Sequence, residues 1–484
     1  MKICVNRTEK LGRYIDPTKW QNSTLRYSPP EDFPTYMAKE IGRAEIMRTW
    51  ITLDEYFDYR TGTFYPDYDI GVVRYPVEDL HYPYDWKNIV PAPSGTRFKA
   101  YLTSHAKEAD ELLLNVRRFE REVSDGVITF DEYEKIFENA VEYCKQLAPN
   151  IRYIECCNEI DIRSFGGLNA EEYSKIYICA YRAIKRLNEK YSYAIPLELG
   201  GFAAAKPLAV WDMMREVVER LKNEGVEMDF YSYHHYETSS TIELIKKHNL
   251  DVARLSAVGK IRHLLKLHNE MLVDFGLPRK KIFLNELGRA RTTGIDGDSL
   301  YNAAGIITYL LAFGCSYFPD IYPFPWCTFH NPELQISYTQ FLLREDGSYA
   351  MTPNGVAIKM LHDLSGERLG VKVEEAYARD SEYCAVAVEE DDVIDVLIAN
   401  PSGETVVGEL EISCMPAGDY VITRYLCDSH FNNCVTNAKR CNGKSIEKTS
   451  DAFHKVDKNG IFKHCFALEK DAFTLYRIKK SNLI

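Results

Sequence analysis

Residues 151–159 read IRYIECCNE, and residues 281–286 read KIFLNE. Each is a short, mostly apolar run that ends in the same dipeptide, Asn158-Glu159 in the first and Asn285-Glu286 in the second. A carboxylate is costly to bury without a partner, so a buried strand that ends in Glu is unusual. These two runs therefore predict buried strands that each deliver one carboxyl group to a functional site.

Similar apolar runs alternate with helical patterns along the first three quarters of the chain. This alternation predicts an α/β fold with a parallel sheet. The predicted strands are residues 2–6, 44–52, 111–116, 151–156, 197–199, 228–234, 281–284 and 314–318. Eight strand–helix units predict a (β/α)8 TIM barrel, with Glu159 and Glu286 after strands four and seven.

The pattern changes after residue 367. Short strands separated by turn residues follow, which is typical of an antiparallel β-sandwich. We therefore predict two domains, a catalytic barrel over residues 1–367 and an accessory β-sandwich over residues 368–484. The length of 484 residues agrees with this division, because a single core stops growing at about 250–300 residues.

Composition excludes several classes of partner. The net charge of −12 argues against nucleic acid, which needs a basic face. No apolar run has the length of a membrane span or, at the N-terminus, of a signal peptide, so we expect no membrane partner and a cytoplasmic location. The 13 cysteines are scattered and are interpreted as reduced, mostly buried thiols.

The two Glu residues suit one kind of chemistry. In a TIM barrel the reactive groups project from the C-terminal ends of the strands. Cleavage of a glycosidic bond with retention needs one protonated and one ionised carboxyl group about 5 Å apart. The alternative is that each Glu is a strand-end residue paired with an arginine, which the occurrence of two such sites on one predicted barrel makes less favoured.

At this point the sequence resembles a known family. Residues 154–159 (IECCNE) and 282–286 (IFLNE) resemble the strand-four and strand-seven motifs of glycoside hydrolase family 39 in clan A, whose best-known members are β-xylosidases. Residues 230–236 (FYSYHHY) are similar to its strand-six pattern, and residues 317–320 (YFPD) to its strand-eight segment. The resemblance spans nearly the whole chain, and it implies that Glu159 is the acid/base and Glu286 the nucleophile of a retaining glycoside hydrolase.

The resemblance also implies roles for neighbouring residues. Asn158 would donate a hydrogen bond to the substrate 2-hydroxyl, while Arg48 and Tyr236 would keep Glu286 ionised. His234 would contact the substrate or orient a carboxylate. The alternatives are that the His234-His235 pair, His235 above all, is a hydrogen-bonded rim and that Arg48 forms a purely structural ion pair. The predicted substrate-binding residues are Asn158, Arg48, Trp50, His234, Tyr236 and Asp320.

Two departures from the family pattern concern the sugar rather than the reaction. Trp50 stands where a sugar-binding histidine is common, and Ile160 follows Glu159 in place of proline. Residues 56–86, which are rich in aromatic side chains, should lie over the active face. Their rings would either stack on sugars or pack on one another to hold a long loop together.

The substrate is expected to be an oligosaccharide or glycoside, and the leading activity is that of an exo-acting β-xylosidase. Arabinosidase, galactosidase, glucosidase and endo-acting enzymes remain alternatives, as does a non-catalytic carbohydrate-binding protein on the same barrel. No cofactor and no metal are predicted, because the adjacent Cys156-Cys157 lack the spacing of metal knuckles. The family resemblance also suggests a homo-oligomer.

Overall fold

Two groups of strands organise the chain, a parallel barrel and a second, larger sheet. The computed structural model describes residues 1–481 except 24–29, 31, 67–70, 74–89, 93–96, 163–164, 237–255, 290–297, 316–319, 330–337, 375–380, 437–442 and 444. In chain order the strands are β1 (Lys2–Arg13), β2 (Trp20–Asn22), β3 (Ala44–Thr52), β4 (Phe57–Asp58), β5 (Thr63–Phe64), β6 (Gly71–Val73), β7 (Val90–Ala92), β8 (Ala109–Arg117), β9 (Ile151–Cys156), β10 (Glu198–Ala204), β11 (Phe230–Tyr236), β12 (Lys281–Gly288), β13 (Ile321–Pro325), β14 (Phe341–Leu343), β15 (Tyr349–Met351), β16 (Glu367–Glu374), β17 (Ala385–Glu390), β18 (Val393–Ala399), β19 (Val406–Ser413), β20 (Gly418–Cys427), β21 (Ser450–Val456), β22 (Phe462–Leu468) and β23 (Phe473–Lys480). The helices are α1 (Phe33–Ile41), α2 (Leu53–Tyr56), α3 (Phe98–Lys107), α4 (Glu120–Ser124), α5 (Phe130–Leu147), α6 (Ala170–Tyr191), α7 (Trp211–Asn223), α8 (Ala257–Phe275), α9 (Asp298–Gly314) and α10 (Pro353–His362).

The predicted TIM barrel is confirmed. Strands β2, β3 and β8 to β13 form one parallel sheet in that order, and a helix follows each of them. The side chain of Asn22 links the first strand to the last by donating to the carbonyl oxygens of Phe324 and Pro325 at 3.4 and 3.2 Å. Helices α5 and α6 begin at capping boxes, Thr129 with Glu132 and Asn169 with Glu172, which satisfy the free N–H groups of the first turn.

The barrel interior is built in layers because alternate residues of a strand face the same side. Seven strands contribute one inward side chain each to a buried apolar cluster, namely Trp20, Ile46, Leu113, Tyr153, Phe230, Phe283 and Phe324. Two residues further along the chain the corresponding positions are buried and mostly polar, namely Asn22, Arg48, Asn115, Glu155, Ser232, Asn285 and, directly after β13, Trp326. An apolar plug thus closes the barrel beneath a polar layer, and the strand ends lie above both.

The second sheet has nine strands in the order β21-β20-β23-β18-β17-β16-β1-β19-β22. Neighbouring strands are antiparallel except β1 and β19, which are parallel. The two end strands approach each other, since His464 on β22 lies 3.1 Å from His454 on β21. The sheet therefore folds over a buried apolar core of its own, as a β-sandwich does.

Two strand predictions were wrong. Residues 2–6 are not the first barrel strand: they belong to β1, which pairs with β16 and β19 in the second sheet. Strand β2 is the first strand of the barrel instead. The eighth barrel strand begins at Ile321 rather than at Gly314, which ends helix α9. Among the described helices, none is long and apolar enough to cross a membrane.

Candidate active site

Glu159 and Glu286 occupy the ends of the fourth and seventh barrel strands. The chain leaves β9 through a sharp turn in which Cys157 and Glu159 have left-handed backbone angles, with φ of 68° and 47°. The backbone N–H of Glu159 donates to the carbonyl oxygen of Ala203 at 2.8 Å, which ties this turn to β10. Glu286 lies within β12, and a register irregularity between β11 and β12 pairs it with His234.

Glu286 is held by two donors. Arg48, which is fully buried, lies with Nη1 2.9 Å from Oε1 of Glu286. The hydroxyl of Tyr236 donates to Oε2 at 2.8 Å. Both oxygens of this carboxylate are therefore fixed, and its charge is balanced by the guanidinium group of Arg48.

His234 lies between the two carboxyl groups. Its Nδ1 atom is 3.4 Å from Oε1 of Glu159 and 3.4 Å from Oε2 of Glu286. One ligand-type atom from each of these three residues lies within 4.8 Å of the others. The side chain of Glu159 is 19% exposed against 7% for that of Glu286, so Glu159 is the carboxyl group with the better access to solvent.

The surroundings shift the pKa values of Glu159 and Glu286 in opposite directions. Burial raises the pKa of Glu159 above its ordinary 4.5; repulsion from Glu286 adds to this, and His234 opposes it. Burial by itself also raises the pKa of Glu286, but the charges of His234 and Arg48 and the hydrogen bonds from Arg48 and Tyr236 outweigh it, so that the net pKa falls below 4.5. Two carboxyl groups with diverging pKa values are the pattern expected of an acid paired with a nucleophile.

A third carboxylate, Glu155, lies directly beneath this pair and was missed as a site residue. It is completely buried and accepts from Arg48 Nε and Nη2 at 3.0 and 2.7 Å and from Asn115 Nδ2 at 2.7 Å. The side chain of Asn285 also donates to it. A charged residue at an inward position of a buried strand was the signal that could have identified it.

Trp50 lies in the same region, but its ring is only 4% exposed. The guanidinium carbons of Arg48 and Arg117 lie 3.9 and 4.7 Å from the ring centroid, and Trp326 meets it edge-on at 5.9 Å. These contacts favour a packing role for Trp50 over the predicted role in sugar binding. Trp326 was not among the predicted residues.

Asp320 is not brought into the site, so its prediction as a substrate-binding residue was wrong. It is exposed and directly precedes β13, and its carbonyl oxygen accepts from Ile282 near the start of β12. It therefore lies at the N-terminal end of the strands, whereas Glu286 lies towards the C-terminal end of β12. The error follows from placing strand eight too early.

The aromatic segment over residues 56–86 is described only in part. Tyr56 is buried against Tyr143 and donates to Asn139, Phe57 packs on Phe64, and Tyr59 meets Phe119 edge-on. For these rings the structure favours mutual packing. Tyr68, Tyr75, Tyr82, Tyr84 and Trp86 lie outside the described residues.

Cys156 and Cys157 are fully buried, with their sulfur atoms 3.8 Å apart. Burial raises the pKa of the Cys157 thiol well above its usual range, which suits an unreactive thiol.

Three other residues, Glu159, His234 and Glu286, have ligand atoms spaced closely enough to hold a divalent cation. The positive charge of Arg48 beside Glu286 disfavours a cation there.

No protein-family model matches the chain, and no curated protein is similar to it in sequence. Among solved structures it is similar to a family 39 glycoside hydrolase from Xanthomonas axonopodis pv. citri, with a TM-score of 0.65, 14% identity and 99% and 97% of the two chains covered. For a family 39 β-xylosidase from Caulobacter crescentus the TM-score is 0.61 and the identity 14%, with 99% of this chain and 100% of the other covered. For a glucosidase from Croceicoccus marinus the TM-score is 0.61 and the identity 15%, with 99% of each chain covered. The chain therefore has the fold of the family 39 glycoside hydrolases over almost its whole length, as the sequence resemblance predicted.

Proposed function

We propose that this protein is a retaining glycoside hydrolase with Glu159 as acid/base and Glu286 as nucleophile. The observation that carries the proposal is the pair of carboxyl groups at the ends of β9 and β12. They have oxygen atoms within 4.8 Å of each other and pKa values shifted in opposite directions. Retaining enzymes place their two carboxyl groups about 5–5.5 Å apart, which leaves no room for a water between nucleophile and sugar.

The mechanism has two steps. Glu286 attacks the anomeric carbon while Glu159 gives its proton to the leaving oxygen, so that a covalent glycosyl-enzyme forms. Glu286 is then neutral, which removes the repulsion that helps to keep Glu159 protonated. Glu159 consequently becomes a better base, takes a proton from water, and the water cleaves the intermediate with a second inversion at the same carbon.

The neighbouring residues serve these steps. Arg48 and Tyr236 keep Glu286 ionised and aligned before attack. Asn158, which is 2% exposed at the end of β9, donates to the sugar 2-hydroxyl. Such hydrogen bonds strengthen as the sugar approaches its oxocarbenium-like transition state.

The substrate is proposed to be a short oligosaccharide or glycoside from whose end a β-linked sugar is released. Xylosides are the leading candidates. Support comes from the fold, because the similar structures include a β-xylosidase and a glucosidase. At 14–15% identity this likeness concerns the fold alone, and a hydrolysis assay identifies which sugar the protein cleaves.

The test is the hydrolysis of aryl xyloside, arabinosides, galactoside and glucoside by wild type and by Glu286→Ala. Release from one sugar should vanish in Glu286→Ala and return with azide, which occupies the space of the lost carboxylate and yields a glycosyl azide of inverted configuration. Glu189→Ala, at an exposed position of α6, is the matched control and should retain full activity.

Two results would overturn the proposal. Binding of oligosaccharides without turnover of any aryl glycoside or longer oligosaccharide would indicate a carbohydrate-binding protein. Loss of activity on chelation, restored by a divalent metal, would instead indicate that Glu159, His234 and Glu286 hold a metal ion.

A further inference from the structure

The carboxylate of Glu155 takes no part in the two steps above, yet it is the most completely bonded acid of the site. Its side chain is fully buried and faces four donor groups: Nε and Nη2 of Arg48, Nδ2 of Asn115 and Nδ2 of Asn285. All four groups donate in this arrangement, so the carboxylate of Glu155 is the acceptor that they share.

Glu155 fixes the orientation of Arg48. One of its oxygens, Oε2, receives both Nε and Nη2, at 3.0 and 2.7 Å. A guanidinium group is planar and rigid, so holding one edge determines where the remaining nitrogen points. That nitrogen, Nη1, lies 2.9 Å from Oε1 of Glu286.

The same guanidinium group fixes the amide of Asn158. Nη2 of Arg48 lies 3.0 Å from the side chain of Asn158. Arginine has no acceptor, so the atom that faces it must be the amide oxygen. The NH2 group of Asn158 consequently points away from Arg48, and under the proposed function it is the group that donates to the sugar 2-hydroxyl.

We propose that Glu155 is a positioning residue that holds Arg48 so that this one side chain aligns the nucleophile Glu286 and sets the amide direction of Asn158. The proposal rests on the proposed function for the roles of Glu286 and Asn158. Glu155 itself touches neither the sugar nor the reacting atoms. It acts from the polar layer below, through Arg48.

The variant to test is Glu155→Gln, which keeps the size of the side chain and removes its charge. With its single acceptor oxygen the amide cannot serve all four donor groups, and it loses the ion pair with Arg48. We expect kcat to fall by about 100-fold, since a displacement of about 1 Å at a reacting group has that effect. KM should change by only a few fold, because the lost contacts act mainly in the transition state. Glu155→Asp, which keeps the charge, should recover part of the loss.

A matched control separates positioning from stability. Asp395 on β18 is also a buried carboxylate, bonded by both Nε and Nη2 of Arg477 at 2.9 and 2.7 Å, but it lies in the second sheet. Asp395→Asn should lower the melting temperature and leave kcat unchanged. A similar loss of kcat in Asp395→Asn and Glu155→Gln would overturn the proposal, because general destabilisation would then explain both.

A crystal structure of Glu155→Gln decides the matter without any assay. We expect Arg48 to leave its position and the amide of Asn158 to lose its contact with Nη2. Arg48 and Asn158 in unchanged positions, or a kcat within twofold of wild type, would overturn the positioning role. If wild type cleaves no glycoside the proposed function fails, whereas this structure still shows whether Glu155 holds Arg48.

Discussion

Arg48 and Glu286 form a buried ion pair across the barrel, with Nη1 2.9 Å from Oε1 and side chains 0% and 7% exposed. The pair joins β3 to β12, the second barrel strand to the seventh. Since Arg48 also pairs with Glu155, one cation is shared by two carboxylates. Removing one partner of such a buried pair costs about 3–5 kcal/mol, so these residues affect both stability and chemistry.

Arg48→Lys should lower kcat/KM by about 100-fold or more. A lysine keeps the charge but cannot reach Glu155, Glu286 and Asn158 together, because it has a single nitrogen. The acidic limb of the pH profile should move to higher pH, since Glu286 loses a hydrogen bond that lowers its pKa. The measurement is kcat/KM against pH, with Arg152→Lys as control, because Arg152 bonds Glu111 and Glu198 near the N-terminal ends of the strands. An unshifted acidic limb in Arg48→Lys would contradict this account.

Activity should follow a bell-shaped curve in pH. The reaction needs Glu286 ionised and Glu159 protonated, so the rate falls when pH drops below the pKa of Glu286 or rises above that of Glu159. The acidic limb should therefore lie below 4.5 and the basic limb above it. Glu159→Gln should lose the basic limb and retain activity only on substrates with good leaving groups. A basic limb that persists in Glu159→Gln would show that another group is the acid.

Gly200→Ala should destabilise the barrel by about 2 kcal/mol or more. A methyl group on Gly200 would lie 2.5 Å from the ring and from the carbonyl oxygen of Phe230, so a strand or the apolar plug must shift. Gly403→Ala is the control, because nothing lies within 4 Å of a methyl group there. Chemical denaturation of both variants tests the prediction, which fails if the two changes have equal effects.

His268 should make stability depend on pH in a defined range. Burial lowers its pKa from 6.5 to about 4, so it is neutral in the folded protein while the unfolded chain takes up a proton below pH 6.5. The contribution of His268 to the free energy of unfolding is therefore complete above pH 6.5. As the pH falls from 6.5 to about 4, this free energy declines by about 1.4 kcal/mol per pH unit. The difference in unfolding free energy between wild type and His268→Asn should shrink over that range. A difference that stays constant from pH 7 to pH 4.5 would refute the assignment.

The strand-end position of Glu159 and Glu286 could be predicted because it depends only on local sequence. A short apolar run that stops at Asn-Glu indicates both a buried strand and a side chain at its end. The contact of both residues with His234 follows once the barrel closes, and the structure brings these three together. Arg48, Asn158 and Tyr236 join them through contacts that the family resemblance implied.

Glu155, Asn115 and Asn285 were missed for a physical reason. Glu155 and Asn115 lie inside apolar runs and Asn285 ends one. Only the alternation of inward and outward positions separates these three residues from the neighbours that pack on helices. The contacts of Glu155 with Arg48, Asn115 and Asn285 depend on the offset between barrel strands, which no single run contains. The misplacement of residues 2–6 has a related cause, because Ile3 and Val5 alternate as they would in either sheet.

The interior position of β1 in the second sheet has a consequence for biosynthesis. Its partners β16 and β19 begin at Glu367 and Val406, so the ribosome makes β1 hundreds of residues before the strands that pair with it. During translation the barrel can close before β16 and β19 have been synthesised, and until then both edges of β1 remain unpaired. Completion of the second sheet thus requires pairing between strands that are far apart in sequence, which makes this step slow to nucleate.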